Sequence, residues 1–376
     1  MNQELALRVL GKIMDWSDEQ AREEFRWLRL MARLKYDSYR DFQAGMRFIE
    51  SLVMWLQQFT PDERNTAYDF VRTALVYFGQ GEVQRLVEQF YPHFVHDRLV
   101  RSVAAKLSIP TYRVLADSDA RAEIGRLRRQ TLFLGLSDGA RMDTIRHANT
   151  GRLSNEQLVG GIQLDTEKWK DLLNHLRSDL ADEAAKFRII YLIDDFTASG
   201  STFLRADQET GWKGKLVRFK HSINDVAREG SFLSPDWELC IHHYMASANA
   251  AISIESKLSA ASDFLNDRGW AHAIHASFGT ILPDDLPVDS QAGRYKDFVA
   301  LARKYYDPEI ETKHTKVGTV SNMALGYAGG ALPVVLEHNT PNNSVALLWA
   351  ETGGGERGGV AVPAMRPLFR RRQRHL

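Results

Sequence analysis

The sequence predicts an α/β fold: an open, mostly parallel sheet with an N-terminal helical domain. Three observations predict it. Two continuous apolar runs, 131–136 and 189–193, suit strands buried on both faces, and each ends abruptly in polar and small residues. Beyond residue 130, strand-like and helix-like segments alternate, which argues for an open α/β sheet whose ligands bind beyond the carboxyl ends of its strands. Residues 1–108 carry helical periodicity instead.

The 376 residues are enough for two or three domains, and the divisions expected are 1–110 (helical), 111–350 (α/β) and 351–376 (glycine-rich loop and basic tail). Lys plus Arg and Asp plus Glu both number 48, so no global field for nucleic acid exists and any such site must be local. The single cysteine, Cys240, lies in an apolar run; it excludes an intramolecular disulfide and a cysteine-based zinc site, and reads as core. No apolar run approaches the roughly 20 residues of a membrane span, and 1–16 lacks the apolar block of a signal peptide. A cytoplasmic protein is expected.

In the helical region, Phe42, Met46, Ile49, Val53 and Leu56 mark one helix face. Thr60-Pro61-Asp62-Glu63 is a helix start, and Phe70, Ala74 and Tyr77 continue its apolar face. Gly79-Gln80-Gly81 interrupts it; Val83, Leu86, Val87 and Phe90 begin another helix, which Pro92 ends or kinks. Arg22, Arg26, Arg29 and Arg33 recur at helical spacing beside Glu19, Glu23 and Glu24. That spacing suits a solvated face, with a phosphate-lining role as the alternative.

The run 131–136 opens into Ser137, Asp138, Gly139, Ala140, Arg141, Met142 and Asp143. The glycine permits close backbone approach, and Arg141 and Arg146 offer guanidinium forks for phosphate. A turn with Arg141 paired to Asp138 or Asp143 is the alternative. Residues 147–161 read as a flap and 169–184 as an amphipathic helix feeding the next strand.

The run 189–193 leads into Asp194, Asp195, Phe196, Thr197, Ala198, Ser199, Gly200, Ser201 and Thr202, and Phe203-Leu204-Arg205 reads as a helix opening. Converging loop N–H groups and a helix N-terminus make an anion site, to which the hydroxyls add donors. Asp194 and Asp195 stand where they would accept from sugar hydroxyls or hold Mg²⁺ through water. No Gly-Lys-Ser/Thr follows, so this is not a P-loop. The alternative is an acidic turn between a core strand and a surface helix.

Further strands are expected at 215–220, 238–245 and 271–278, with a helix at 250–266. His242 and His243 point to opposite faces of a strand and cannot jointly hold a metal; one reads as core and one as facing the cleft, and no histidine-ligated metal is expected. Near the C-terminus a short apolar strand delivers Glu337, His338, Asn339, Thr340, Pro341, Asn342 and Asn343. These residues suit either base or ribose recognition or an ordinary turn. An apolar run at 345–349, a flexible loop at 353–359 and a tail with Arg366, Arg370, Arg371, Arg372 and Arg374 complete the chain. The tail suits a solvated end or a docking contact to acidic partners.

The loop from Asp194 to Thr202 resembles the phosphoribosyl-pyrophosphate loop of type I phosphoribosyltransferases, with Thr197 departing from the usual apolar residue. By position, the segment from Ser137 to Asp143 resembles that family's pyrophosphate loop, without its usual sequence. The whole chain resembles the phosphoribosyltransferase-like proteins beside retrons and other bacterial conflict systems. It does so in its helical lead-in, in both loops, in Asn339-Thr340-Pro341-Asn342-Asn343 with Leu348-Trp349, and in Pro367-Leu368-Phe369 before arginines. The resemblance implies an antiviral effector that binds phosphoribosyl pyrophosphate or a nucleotide, with Mg²⁺ at Asp194 and Asp195. If catalytic, it would substitute at the ribose anomeric carbon as a glycosyltransferase or N-glycosidase, through Asp194, Asp195 and Arg141. The resemblance names no general base, and Glu337 and His338 are the candidates by the pKa range of their side chains. A reverse transcriptase–nucleic acid complex or another defence-operon protein is the implied partner, and no membrane is involved. A non-catalytic nucleotide sensor, a nucleic-acid-binding module and a nucleotide-salvage enzyme are the competing readings.

Overall fold

The computed structural model describes residues 3–42, 45–265, 270–289, 293–312, 315 and 322–371. They fall into two compact units, 1–82 with 284–376, and 83–283.

The second unit carries a five-stranded sheet. Its spatial order is Leu158–Val159, Thr131–Gly135, Phe187–Thr197, Leu233–Ser247 and Ala273–Leu282, and every neighbouring pair is parallel. Both apolar runs are adjacent inner strands, in a register that sets Thr131 against Ile189 and Gly135 against Ile193. The pleat sends alternate residues to opposite faces. Leu132, Leu134, Ile190 and Leu192 bury with Trp169, Leu172, Leu216 and Phe219, while Phe133, Ile189, Tyr191 and Ile193 bury with Phe90, Val95, Leu99 and Leu127. Double-sided burial explains why these strands read as unbroken apolar runs.

The first unit is mostly helical. Ser17 and Gln20 form a reciprocal capping box before the helix Asp18–Leu34. The helix Phe48–Leu56 starts later than Phe42 and Met46 suggested. Pro61–Thr73 begins as expected, with both the N–H and the hydroxyl of Thr60 donating to Glu63. Phe70 stacks on Phe298 at 3.7 Å. A short strand, Val76–Phe78, pairs in parallel with Val334–Leu336, so Tyr77 belongs to a strand and not to the preceding helix.

Several expectations change. The division at 110 gives way to one at 82/83, because Val87, Phe90, Val95, Leu99 and Val103 of the expected helical domain bury on the sheet. Residues 284–371 group with the N-terminal helices, since Val335, Leu347, Leu348 and Phe369 bury with Phe48 and Trp55. Gly79-Gln80-Gly81 is a start as well as a stop: Gly79 N–H donates to Glu82 at 2.6 Å, and the helix Gln80–Phe90 follows. At Pro92 the helical path continues through a π-turn, Tyr91–Val95. Residues 215–220 are not a strand but the opening of the helix Lys215–Ala227, which buries Leu216, Phe219, Ile223 and Val226 along one face. The run 345–349 is the short helix Ala346–Trp349, and the glycine-rich segment forms the hairpin Gly355–Arg357 with Val360–Val362. Arg372 and Arg374 lie outside the described residues. Arg370 pairs with Glu351 and Arg371 lies over Trp349, so this part of the tail is docked. Among the described residues, no helix is long and apolar enough to cross a membrane.

Candidate functional site

The two inner strands end side by side, with Leu136 N–H donating to Ile193 O at 2.8 Å. The Phe187–Thr197 strand runs further than its apolar segment, pairing Asp194 with His243 and Thr197 with Ala246. Asp194 and Asp195 are therefore strand residues, and the pleat sends their side chains to opposite faces.

Asp194 is 6% exposed. Ser137 Oγ donates to one carboxylate oxygen and Lys215 Nζ to the other, the latter at 2.5 Å. Burial raises its pKa and the neighbouring Asp195 adds to this, while Lys215 and Ser137 oppose. Asp195 is half-buried and lies against Gly139: a Cβ there would fall 2.3 Å from Asp195 Oδ2. Ser137 Oγ also accepts from Gly139 N–H at 3.2 Å. Two loops far apart in sequence thus close on the acid pair. Arg141 follows in a left-handed conformation, φ 52°. Its charge reaches the same neighbourhood: the Tyr244 phenol is pushed up by burial and by Asp195 and Asp194, and held down by Arg141. Tyr244 itself donates to Ala140 O at 2.7 Å. Asp138 is exposed.

Thr197 is buried, and the turn that follows is supported by the helix Ala248–Ala260. Ser247 Oγ donates to Ala198 O at 2.7 Å, and Ser253 Oγ and Lys257 Nζ both donate to Ser199 O, at 3.3 and 3.1 Å. Ser199 and Ser201 share a hydroxyl–hydroxyl bond of 2.8 Å. Gly200 has φ 67° and meets Ile254, which suits a residue without Cβ. Thr202 is exposed.

No helix opens at Phe203. The chain instead makes a hairpin, Arg205–Asp207 with Gly211–Lys213, and then returns. At the return, Lys215 N–H donates to Thr202 O and Leu216 N–H to Phe203 O, both at 3.1 Å. Gly214 permits the contact, with φ 134° and space for a Cβ only 2.3 Å from Phe203 O. The helix N-terminus thus still meets the loop, 12 residues later than expected, as the difference between 203 and 215 shows. Sequence reasoning missed Lys215, Lys257, Ser247 and Tyr244. The Asp207…Gly211 turn was the available signal for the hairpin; for Lys257 there was none.

Asp194 does not fit as a ligand for Mg²⁺. An ammonium already sits on its Oδ2, and a second cation about 4 Å away would be repelled by several kcal/mol even at the moderate dielectric of a protein surface. His242 and His243 are both buried, which corrects the expectation that one faces the cleft.

Glu337, His338, Asn339 and Asn342 belong to the first unit. There the Glu337 carboxylate pairs with Arg40 Nε at 2.8 Å, and His338 Nδ1 lies 3.7 Å from it. Leu336 and Asn339 exchange backbone hydrogen bonds of 3.1 and 3.0 Å, and Asn342 O accepts from Tyr327 N–H. These four residues make the turn that follows the Val334–Leu336 strand.

No curated protein and no solved structure matches the chain. The model of the PRTase-CE family matches residues 52–371, a span that takes in both loops at the sheet's carboxyl edge. The chain belongs to this family of phosphoribosyltransferase-like effectors.

Proposed function

We propose that this effector binds a ribose 5-phosphate ligand, phosphoribosyl pyrophosphate or a nucleotide, through the segment from Asp194 to Thr202. One observation carries the reading: the Ser137–Gly139 turn and the acid pair close on each other at the carboxyl ends of adjacent parallel strands. The turn after Thr197 receives the 5-phosphate, with the hydroxyls of Ser199, Ser201 and Thr202 as donors. Asp195, the more exposed acid, accepts from the ribose hydroxyls. In a reaction at the anomeric carbon, the bond to the leaving group breaks as positive charge grows on the ribose ring. Asp195 stabilises that charge, and Arg141 stabilises a departing pyrophosphate. No step is assigned to a metal ion.

Calorimetry with ribose 5-phosphate, phosphoribosyl pyrophosphate and AMP tests binding. Asp195→Asn is expected to weaken it by about tenfold, the value of one charge-assisted hydrogen bond. Equal affinity in that variant would overturn the assignment. Release of pyrophosphate or free base during incubation separates an enzyme from a sensor. The sensor reading is favoured by the engagement of Asp194, both of whose oxygens already hold protein donors.

The role in antiviral defence rests on the resemblance of the chain to proteins of bacterial conflict systems. Expression alone and with genomic neighbours tests it. Toxicity relieved by a neighbour and lost in Asp194→Ala supports an effector held in check by a partner. Harmless expression with rescue of a salvage auxotroph would overturn it.

A further inference from the structure

We propose that Lys215 serves as the built-in cation of the acid pair, so that ligand binding through the segment from Asp194 to Thr202 needs no divalent metal. The inference rests on the ribose 5-phosphate reading above and adds to it the source of positive charge.

Lys215 touches the loop at both ends. Its backbone N–H donates to Thr202 O at 3.1 Å, at the loop's last residue, and its ammonium donates to Asp194 Oδ2 at 2.5 Å, at the first. Few positions can do both. The hairpin from Arg205 to Lys213 and the left-handed Gly214 return the chain so that the helix Lys215–Ala227 begins against the loop it left.

The placement is also electrostatically unusual. A cation in the first turn of a helix opposes the macrodipole at about 0.3–1 kcal/mol, and an exposed lysine would turn into solvent. The Lys215 side chain is 15% exposed and that of Asp194 9%, so the pair is held largely out of water. Ser137 Oγ completes the Asp194 carboxylate from the other side. A divalent ion shared by sugar and protein would neutralise an acid at this place. Here an ammonium does so, at a fixed distance. Lys215 is a positioning residue: it holds the Asp194 carboxylate in place and opposes the burial that raises its pKa, and its charge draws the anionic ligand to the loop.

The test is calorimetry of the full chain with ribose 5-phosphate, a weak chelator, in EDTA and in millimolar Mg²⁺. Circular dichroism is recorded for each variant. The wild type is expected to bind with dissociation constants equal to within about twofold in the two buffers. Lys215→Arg, which keeps the charge, is expected to bind in EDTA. Lys215→Met is expected to lose on the order of tenfold or more in EDTA and to regain part of it in Mg²⁺. Wild-type binding that requires Mg²⁺ would overturn the inference and leave the ribose 5-phosphate reading standing, and so would a folded Lys215→Met that binds unchanged in EDTA. Should Lys215→Met fail to fold, the wild-type and Lys215→Arg titrations in EDTA still decide. Absence of binding by the wild type in both buffers would overturn the ribose 5-phosphate reading, and the inference with it.

Discussion

Gly139 and Asp195, 56 residues apart by their numbers, stand so close that a single added methyl carbon would lie 2.3 Å from the carboxylate oxygen. The contact joins the ends of two parallel strands. The atoms in the way are those of the Asp195 carboxylate itself, so relief of the clash moves the group proposed to meet the ribose. Gly139→Ala is therefore expected to displace Asp195 and weaken ribose 5-phosphate binding by about tenfold or more. The fold should survive, with the melting temperature shifted by no more than about 2–4 °C. Calorimetry paired with a thermal melt checks both parts.

Gly214→Ala attacks the return of the hairpin. The residue has φ 134°, and its Cβ would meet Phe203 O at 2.3 Å. Strain and steric conflict together are expected to cost on the order of 2–3 kcal/mol. Urea unfolding measures the loss. Binding of ribose 5-phosphate should fall as well, because Lys215 follows directly.

Stability should fall in mild acid. Burial, helped by the neighbouring His243, holds His242 at about 3, against an ordinary 6.5. Burial, helped by Lys215, holds His243 at about 3 as well. Both are neutral when folded, while the unfolded chain takes up protons below 6.5. Their contribution is complete above that pH and is lost as pH falls from 6.5 toward 3. Melting curves between pH 8 and pH 4, measured at about one-unit steps, should show this slope. His242→Phe should flatten it, since the ring already packs among Phe90, Phe94 and Tyr244.

The C-terminal segment is expected to be structural. Phe369 is fully buried among Tyr36, Tyr39, Phe42, Phe48 and Tyr77, with ring centroids 5.2–6.0 Å away. Ser51 Oγ donates to Leu368 O at 2.6 Å, and Tyr39 Oη to Arg370 O at the same distance. Phe369→Ala is expected to destabilise the first unit by about 3–5 kcal/mol through the cavity it leaves. Denaturant unfolding followed by tryptophan fluorescence would show it.

The sequence by itself determined the two inner strands of the sheet. A strand covered on both faces is apolar along its covered length, so the runs 131–136 and 189–193 were legible as strands without any partner, although the second extends from Phe187 to Thr197. The same holds for Cys240 as core and for the helix start at Thr60-Pro61, since both depend on near neighbours in the chain. The loop from Asp194 to Thr202 stood out in the sequence because its residue types are local, and its anion-binding role is the proposal that calorimetry tests. What covers each face was decided only by the tertiary structure. Periodicity marks which side of a helix is apolar but not what it meets, so the helices at 83–107 could be read as helices and still be given to the wrong unit. The partners of the Glu337 cluster were equally hidden: Arg40 and Phe78, distant in sequence, take up its carboxylate and backbone. Lys215 was hidden for the same reason. Its role depends on a hairpin that carries the chain away and back, and on a carboxylate 21 positions earlier that only folding brings within 2.5 Å.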